Sequence, residues 1–470
     1  MRRRALTEGS IISSLLTLAV PIILANILQT AYQLTDTFWV GRLGAEAVAS
    51  ISLCFPVLFL LISLGAGIVI SGTILVAQYT GRDDKRAADH VAGQTLVMML
   101  LASGIVSIVG YILTPFFIKL MGADDGVTVD AIAYLRISLA GLAFVFGYFV
   151  FQALMRGVGD VKTPLYIVLG AVLLNVIIDP MFIFGWGVLP AMGVKGAAYA
   201  TIISQGLAAV LGILLLFSGR YGIHLRLAAL RPDISLVMRM FRLGVPSSLE
   251  QSARAVAFMI LTALVSSFGT KTIAAYGIGT RLLSFIILPS LGLSMATTTL
   301  IGQNMGAGKL ARAESIARTA TLGAFLILTG LGVVFFVFAP TLVRTFIPGN
   351  PDVIAAGVAF VRAMAFTFGL IGVQQVLTGV FRGCGDTVIA MVIAIISLWV
   401  LRFPLAYILS KHTPLGENGI WWAFPISNIL AAATTGIWFL RGSWKKRNAI
   451  EEFGILEKVA KEAIVEGGFD

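Results

Sequence analysis

The chain has 470 residues, of which 58% are hydrophobic and only 12% are charged, and its mean hydropathy is +0.95. Soluble domains carry about 25% charged residues, so this composition excludes a soluble protein and predicts an all-α integral membrane protein. The formal net charge of +11 would suit a nucleic-acid partner, but the basic residues lie in short loops between apolar segments, which is a feature of membrane topology.

Long apolar segments recur along the whole chain, and each can cross a bilayer as a helix, which takes about 20 residues. The first segment follows a basic start, as in a signal peptide, but it is too long and lacks a small-residue cleavage site. We therefore interpret it as an uncleaved membrane helix. Twelve transmembrane helices are predicted, at residues 12–38, 48–79, 91–114, 131–155, 163–185, 195–217, 238–266, 272–302, 315–340, 355–380, 387–409 and 418–440.

The distribution of Lys and Arg over the loops predicts the orientation, because basic loops stay in the cytoplasm. Most of these residues fall on the side that carries both ends of the chain: Arg2, Arg3, Arg4, Arg82, Lys85, Arg86, Arg156, Lys162, Arg220, Arg226, Arg231, Arg239, Arg242, Lys309, Arg312, Arg318, Arg382, Arg441, Lys445, Lys446 and Arg447. The opposite side carries Arg42, Lys119, Lys195, Lys271, Arg344 and Lys411. We expect a multi-pass protein of the inner (plasma) membrane with both termini in the cytoplasm.

The two halves of the chain repeat each other. Leu18–Pro21 corresponds to Leu243–Pro246, and Arg156–Asp160 corresponds to Arg382–Asp386. Six helices separate the copies, and an even number means that both halves enter the membrane from the same side. The sequence therefore predicts two six-helix lobes related by an internal repeat, at residues 1–217 and 243–440, with a cytoplasmic linker at 218–242 and a cytoplasmic tail at 441–470.

The first helix carries polar side chains inside its apolar segment. Gln29, Tyr32 and Asp36 are three and four residues apart, which places them along one face of the helix. A carboxylate in the membrane costs on the order of several kcal/mol unless it is paired, neutralised or hydrated, so Asp36 is a candidate functional residue. Pro21 removes a backbone hydrogen bond of the same helix, and it is either a structural kink or a hinge.

The fifth helix carries Asn175 and Asp179 one turn apart, and the sixth helix carries Thr201. The directions of the helices put Asp36, Asp179 and Thr201 at one depth in the outer half of the bilayer. With Tyr32 and Asn175, two carboxylates would share a network of hydroxyl and amide partners, and such a pair can take up a proton or hold a small cation. The alternative is that both acids only cap helices at the outer interface.

The second lobe has Leu261 where the repeat places Asp36 in the first. Its candidate acid is Glu250, which lies four residues before Arg254 on the seventh helix. These two side chains either pair with each other or take part in a cation site. The sequence has no catalytic triad, metal-ligand spacing or nucleotide motif, so it supports no enzymatic activity and implies no cofactor besides a coupling ion.

With these residues in place, the chain resembles the multidrug and toxic compound extrusion (MATE) transporters over roughly residues 10–440. The resemblance rests on the two repeats, the segment Gln29–Gly41, the paired Arg-Gly-x-Gly-Asp loops, and the segments Asn175–Pro180 and Gly193–Thr201. The placement of the acids is similar to that of the DinF-like prokaryotic branch. NorM-like members carry additional acids in the second lobe for a sodium site, and here Glu250 matches that position poorly.

The resemblance implies residue roles in the first lobe. The cation-coupling network would consist of Tyr32, Asp36, Asn175, Asp179 and Thr201, and Pro21 would bend the first helix. We expect the substrate cavity to be lined by Gln29, Tyr32, Asp36, Asn175 and Asp179. With Na⁺ as the coupling ion, the ligands would come from Asp36, Asn175, Asp179 and Thr201. Glu250 and Arg254 are the alternative site in the second lobe.

The function implied by the resemblance is the ion-coupled export of amphipathic, often cationic drugs and toxic compounds by rocking of the two lobes. H⁺ is the favoured coupling ion and Na⁺ is the alternative. We expect a monomer whose partners are small molecules and the lipid bilayer, without nucleic acid. The competing hypothesis, from the same superfamily, is a flippase for lipid-linked precursors, in which Arg254, Arg281 and Arg402 would hold a pyrophosphate.

Overall fold

The computed structural model describes residues 6–122, 125–187, 189–347 and 349–451, and helices make up most of these ranges. In chain order they are α1 (Ile11–Gly41), α2 (Ala45–Gly81), α3 (Lys85–Leu120), α4 (Asp125–Ala140), α5 (Leu142–Val158), α6 (Lys162–Phe184), α7 (Val194–Ser218), α8 (Ile234–Ser266), α9 (Thr270–Gly306), α10 (Leu310–Phe346), α11 (Pro351–Ala365), α12 (Phe368–Cys384), α13 (Thr387–Lys411) and α14 (Glu417–Leu440). Residues 452–470 of the predicted tail lie outside the described residues.

Ten of these helices are each long and apolar enough to span a membrane. The pairs α4–α5 and α11–α12 bend by 48° and 52° at short breaks, and counting each pair as one span gives up to twelve. The all-α membrane fold is thus confirmed, and the predicted spans at 131–155 and 355–380 each consist of two helices that meet at a bend. At the first break a Cβ on Gly141 would lie 2.3 Å from a carbon of Ile202 on α7, so a glycine is needed for this close contact.

The repeated Arg-Gly-x-Gly-Asp motif ends one helix and begins the next in both halves of the chain. In the first half, Gly159 adopts a left-handed φ of 88°, which ends α5, and the Asp160 carboxylate accepts hydrogen bonds from the backbone of Lys162 and Thr163 at 3.1 Å. A glycine takes this backbone conformation at no steric cost, and an aspartate caps the exposed N–H groups of a helix start.

The second copy of the motif repeats this geometry. Gly385 has a φ of 94° at the end of α12, and Asp386 accepts from the backbone N–H of Ile389 at 3.4 Å. The remaining glycine of each motif allows close helix packing, since a Cβ on Gly157 or Gly383 would lie 2.8 Å from the neighbouring helix. The sequence repeat is therefore a structural repeat, built from the same turn and the same helix contact.

The chain forms two compact units whose boundaries differ from the predicted lobes. The N-terminal unit comprises Val20–Ser248, and the C-terminal unit comprises the chain up to Ala19 and from Leu249 onward. Both α1 and α8 therefore pass from one unit into the other, and each does so within a few residues of its internal proline, Pro21 or Pro246.

The segment before α1 and the linker between α7 and α8 are each attached to their own unit by polar contacts. In the C-terminal unit, Asn304 donates to the carbonyl of Leu6 at 3.2 Å, and the guanidinium of Arg312 donates to the carbonyls of Glu8 and Gly9 at 2.9 Å. In the N-terminal unit, the amide of Gln94 on α3 donates to the linker carbonyl of Ala229 at 2.9 Å. These contacts explain why the first residues of the chain belong to the C-terminal unit while the linker belongs to the N-terminal unit.

Large aromatic side chains form the core of the C-terminal unit. Phe360 of α11 stacks against Tyr276 of α9 and against Trp421 of α14, with ring centroids 5.9 Å and 4.5 Å apart. Phe424 packs edge-on to Phe360 at 5.2 Å. Lipid tails are as apolar as these rings, so the contribution of the cluster is van der Waals packing, which joins α9, α11 and α14.

Candidate functional site

The candidate site lies inside the N-terminal unit, among α1, α4, α6 and α7. Asp36 of α1 is 9% exposed, and Asn175 and Asp179 of α6 are fully buried. Tyr32 is buried one turn before Asp36 on the same helix. The four side chains that sequence spacing placed on two helix faces are therefore removed from solvent, as expected for groups that act within the membrane interior.

Asn175 and Asp179 interact directly along α6. The amide nitrogen of Asn175 donates to Oδ1 of Asp179 over 2.7 Å, which uses the i, i+4 neighbour relationship of a helix. The other atoms of the pair, Asn175 Oδ1 and Asp179 Oδ2, are buried without a hydrogen-bond partner within the described residues. Asp179 therefore does not act as a helix cap here, because its carboxylate is bonded by a side chain of its own helix.

Tyr32 connects α1 to α7. Its hydroxyl lies 2.5 Å from the hydroxyl of Ser204 and donates to the backbone carbonyl of Thr201 at 3.3 Å. Ser204 in turn donates to the carbonyl of Ala200 at 2.9 Å. The predicted Thr201 is thus at the site, although it bonds Tyr32 through its backbone, and its hydroxyl has no hydrogen-bond partner in the described part of the chain.

Two residues of the site were missed from the sequence. Ser204 lies three residues after Thr201 on the same face of α7, and this spacing is a signal that could have identified it. Tyr134 of α4 is buried, hydrogen-bonds to Asp36 and interacts electrostatically with Asp179 and Tyr32. A tyrosine in an apolar helix gives no comparable signal, because most such rings belong to the core.

Several oxygen atoms of the site are buried without a hydrogen-bond partner among the described residues: Asp36 Oδ1, Asn175 Oδ1, Asp179 Oδ2 and Thr201 Oγ1. Asp36 and Asp179 also interact electrostatically with each other. Two carboxylates that are buried together cannot both stay charged without a compensating cation. This set of oxygens can therefore accept either a proton or a small hard cation, which prefers oxygen ligands.

No group of three or more His, Cys, Asp or Glu side chains that could hold a metal ion occurs among the described residues. Gln29 is half-buried, two turns before Asp36, and its side chain makes no hydrogen bond to another described residue. Pro21 is buried inside α1, fifteen residues before Asp36 in the sequence. Gln29 and Pro21 thus share the helix of Asp36 but not its immediate surroundings.

In the C-terminal unit, Glu250 is 0% exposed and its Oε1 accepts from two arginines. Arg254 donates from Nη2 over 2.9 Å, and Arg382 of α12 donates from Nη2 over 2.6 Å. The pairing of Glu250 with Arg254 follows from their spacing, but the role of Arg382 was missed because its partner lies far away in the sequence. An acid held by two cations is already neutralised, unlike Asp36 and Asp179.

Arg402 of α13 was placed in the second lobe by the sequence, and it is held by neutral groups. Its guanidinium donates to Ser427 at 3.0 Å and to Asn428 at 2.5 Å, and it lies 4.9 Å from the ring centre of Phe424. It ends a π-helical stretch, Ile396–Arg402. Arg281 of α9 is exposed in this unit.

Ten to twelve apolar spans in two repeats, with uncompensated carboxylates buried inside one of them, are the features of a secondary transporter. The MatE family model matches residues 21–181 and residues 246–408, once in each repeat. The chain therefore belongs to the MATE family of transporters.

Similar proteins cover almost the whole chain. A probable multidrug resistance protein of Bacillus subtilis, YpnP, is 29% identical over 96% of this chain and 100% of its own length. A solved structure of a MATE transporter in the bent conformation is 26% identical, covers 98% of this chain and 99% of its own, and has a TM-score of 0.87. A transporter of the MOP superfamily from Pyrococcus furiosus, described as having a binding pocket of reverse polarity that suggests a different function, is 27% identical, with a TM-score of 0.88 and coverage of 95% and 99%.

Proposed function

We propose that this protein exports amphipathic, often cationic compounds in exchange for protons, with Na⁺ as the alternative coupling ion. The observation that carries the proposal is the pair of buried carboxylates, Asp36 and Asp179, whose free oxygens face a site without a basic partner among the described residues. The name of the Bacillus subtilis relative, a probable multidrug resistance protein, supports the class of substrate.

The coupling step follows from charge balance at this site. When Asp36 and Asp179 are both charged, they repel each other and favour a bound cation, which can be the exported compound or Na⁺. When a proton binds, the repulsion falls and the hydrogen bonds of Tyr134 and Asn175 can rearrange around the neutral acid. Proton uptake then weakens binding of the exported cation and favours its release.

The same change can act on the shape of α1. A proline inside a helix removes one backbone hydrogen bond and weakens the helix at that point, and Pro21 is such a point on the helix that carries Asp36. We propose that α1 bends here and that this bending accompanies the rocking of the lobes that gives alternating access.

The free energy of the conformational change requires contributions from both the coupling proton and the exported compound. One pH unit across the membrane is worth about 1.4 kcal/mol per proton. Moving a two-state protein from mostly one state to mostly the other takes about 5.5 kcal/mol of differential binding. Binding of the exported compound must therefore supply part of the difference, so we expect its affinity to depend on pH.

The test is flux of a fluorescent lipophilic cation in proteoliposomes, with proton and sodium gradients imposed separately. We expect a proton gradient to drive flux in the wild type and Asp36→Asn and Asp179→Asn to abolish it at normal expression and folding. The control is Glu46→Gln, which removes an exposed acid at the start of α2. Full transport by Asp36→Asn would exclude this residue from the mechanism. Flux driven by a sodium gradient and not by a proton gradient would identify Na⁺ as the coupling ion.

A binding measurement separates coupling from general damage. We expect the affinity for the lipophilic cation to fall at low pH in the wild type and to lose this dependence in Asp36→Asn and Asp179→Asn. A pH dependence that survives both substitutions would place the coupling site elsewhere, with Glu250 as the first candidate. We also propose that the protein lies in the inner (plasma) membrane with both termini in the cytoplasm and acts as a monomer.

The alternative proposal, a lipid-precursor flippase, is favoured by one feature of the C-terminal unit. Arg402 is held by Ser427, Asn428 and an aromatic ring, without a carboxylate among the described residues. A π-helical turn such as the one that ends at Arg402 is frequent at functional sites. Transport of a lipid-linked pyrophosphate that is lost in Arg402→Gln, without flux of the lipophilic cation, would favour the flippase.

A further inference from the structure

A shallow cavity of about 380 Å³, largely open to the surface, lies in the N-terminal unit between α3, α4 and the start of α7. The guanidinium of Arg136 lies 4.7 Å from the ring centre of Tyr111, and both residues line the cavity together with Lys195. The walls are apolar, formed by Val129, Ile132, Ala133, Ile137 and Ala140. No acidic side chain is among these lining residues in the described part of the chain.

The guanidinium of Arg136 has unused binding capacity. Its Nε is buried and has no hydrogen-bond partner within the described residues. The contact with Tyr111 holds the guanidinium over the face of the ring. An arginine held in this way is suited to a two-point contact with a phosphate, and the neighbouring ammonium of Lys195 adds a second positive charge.

The internal repeat provides a natural comparison. The C-terminal unit has a smaller cavity of about 200 Å³ around Arg362, the counterpart of Arg136. There, Nε donates to the carbonyl of Phe336 at 3.3 Å, and the neutral Asn418 occupies the position of Lys195, two residues after the glycine that begins the helix. The repeat has thus kept one arginine stacked on one ring in each unit, but only the N-terminal cavity has a second cation and an unbonded guanidinium nitrogen.

The depth of the cavity fits a lipid headgroup. The chain advances twenty residues from Arg136 to Arg156, which is about 30 Å along the helices and equals the thickness of the hydrocarbon core. Arg136 therefore lies near one membrane–water boundary if Arg156 lies near the other. Next to the cavity, Ile108 and Ile112 of α3 are 65% and 68% exposed, as expected for side chains that face lipid chains.

We propose that this cavity binds the phosphate of an anionic phospholipid, with Arg136 and Lys195 contacting the headgroup and one acyl chain lying along the apolar wall. Basic pockets between membrane helices on the cytoplasmic side bind acidic headgroups, and the same charge pairing applies to a basic pocket at the opposite boundary. The apolar walls and the exposed isoleucines favour a lipid over a soluble anion, because a free phosphate would leave these walls uncovered. The site is independent of the transported compound and of the coupling ion.

The test is native mass spectrometry of the full-length protein in detergent, titrated with phosphatidylglycerol, phosphatidylcholine or inorganic phosphate. We expect the wild type to bind phosphatidylglycerol in preference to phosphatidylcholine. Arg136→Gln and Lys195→Gln should each weaken this binding by about ten-fold or more, since each removes a charge-assisted hydrogen bond to the phosphate. The matched control is Arg362→Gln, which removes the equivalent arginine of the other unit and should leave binding of phosphatidylglycerol unchanged.

Melting temperatures measured without added lipid show whether each variant is folded. If Arg136→Gln unfolds, Lys195→Gln still tests the site, because Lys195 is exposed and its removal leaves the helix packing intact. Unchanged phosphatidylglycerol binding in the Lys195→Gln variant, or an equal loss in Arg362→Gln, would overturn the proposal. Inorganic phosphate that competes as well as phosphatidylglycerol would overturn the assignment to a lipid.

Discussion

The buried carboxylate of Glu250 predicts a specific order of stability among three variants. Its Oε1 accepts hydrogen bonds from Arg254 and Arg382, whose side chains are 30% and 13% exposed. Glu250→Gln keeps the size of the side chain but removes the only negative charge, so the two guanidinium groups then repel each other in a buried position. Removal of one member of a buried ion pair costs about 3–5 kcal/mol, and we expect this variant to lose stability in that range.

The two arginine variants should lose less. Arg382→Gln leaves Glu250 paired with Arg254, and the loss of one buried charged hydrogen bond costs about 1.5–3 kcal/mol. Arg254→Gln removes a more exposed partner at i, i+4 spacing, which contributes about 0.3–0.5 kcal/mol, and it also removes repulsion between the arginines. The predicted order of destabilisation is therefore Glu250→Gln, then Arg382→Gln, then Arg254→Gln.

The assay is thermal unfolding of the detergent-purified variants, with the double variant Glu250→Gln, Arg382→Gln completing a mutant cycle. We expect the double variant to be more stable than the sum of the single losses predicts, because it removes the unpaired cation together with the acid. Equal losses of stability in Glu250→Gln and Arg254→Gln would contradict the argument that burial of Glu250 makes its charge the most costly to remove. A stable Glu250→Gln variant that has lost sodium-dependent transport would instead assign Glu250 to a cation site.

Three further predictions concern the N-terminal unit. Asp233 of the linker forms a hydrogen bond with His90 of α3, and this bond lowers the pKa of Asp233. That contact therefore stabilises the docked linker above the ordinary carboxyl pKa of about 4 and is lost as the pH falls through the lowered value. Hydrogen exchange of the linker, corrected for the intrinsic rate, should rise below this pH, and Asp233→Asn should abolish the step. Gly67→Ala should destabilise the protein by about 1–3 kcal/mol in thermal unfolding, because a Cβ there would lie 2.0 Å from a backbone carbonyl of α8. Gly104→Ala, which meets no atom within 4 Å, is its control, and equal melting temperatures would contradict this packing. Cysteines at Lys195 and Arg231 should be labelled from opposite faces of intact cells, and labelling from the same face would refute the predicted topology.

The sequence predicted what depends on local spacing. Apolar length predicted the spans, and the intervals between Tyr32 and Asp36 and between Asn175 and Asp179 placed these residues on shared helix faces. The repeated motif around Gly159 indicated the internal repeat, and in the structure its glycine and aspartate form the same turn in both copies. These features are encoded within one or two helical turns, so a single sequence is sufficient to recognise them.

What the sequence did not predict depends on contacts between distant segments. Tyr134 reaches Asp36 from another helix, and Arg382 reaches Glu250 across more than a hundred residues, so neither pairing has a local pattern. The internal repeat gives no indication of the pairing between Arg382 and Glu250 either. The position equivalent to Glu250 is Ala25, so Arg156 of the first copy has no such acid and donates to Gln152 at 3.3 Å instead.

The two repeated prolines lie where the chain passes from one unit into the other, and the sequence alone did not show this. The unit boundaries lie at Ala19 in α1 and at Ser248 in α8, and Pro21 and Pro246 are within three residues of them. A helix is weakest where a proline removes a backbone hydrogen bond, so both crossings coincide with points that bend at low cost.

A segment on one side of each proline is held by hydrogen bonds within its own unit, before Pro21 in α1 and after Pro246 in α8. Lys309 and Arg312 hold the chain before α1 through backbone carbonyls, and Ser248 bonds Leu64 and Gly67 of α2. Asp36 lies about 22 Å further along α1 than Pro21. Pro21 therefore separates Asp36 from the anchored residues at the start of the chain. We therefore expect α1 to bend at Pro21 when the charge at Asp36 changes, because the proline removes a backbone hydrogen bond at that point.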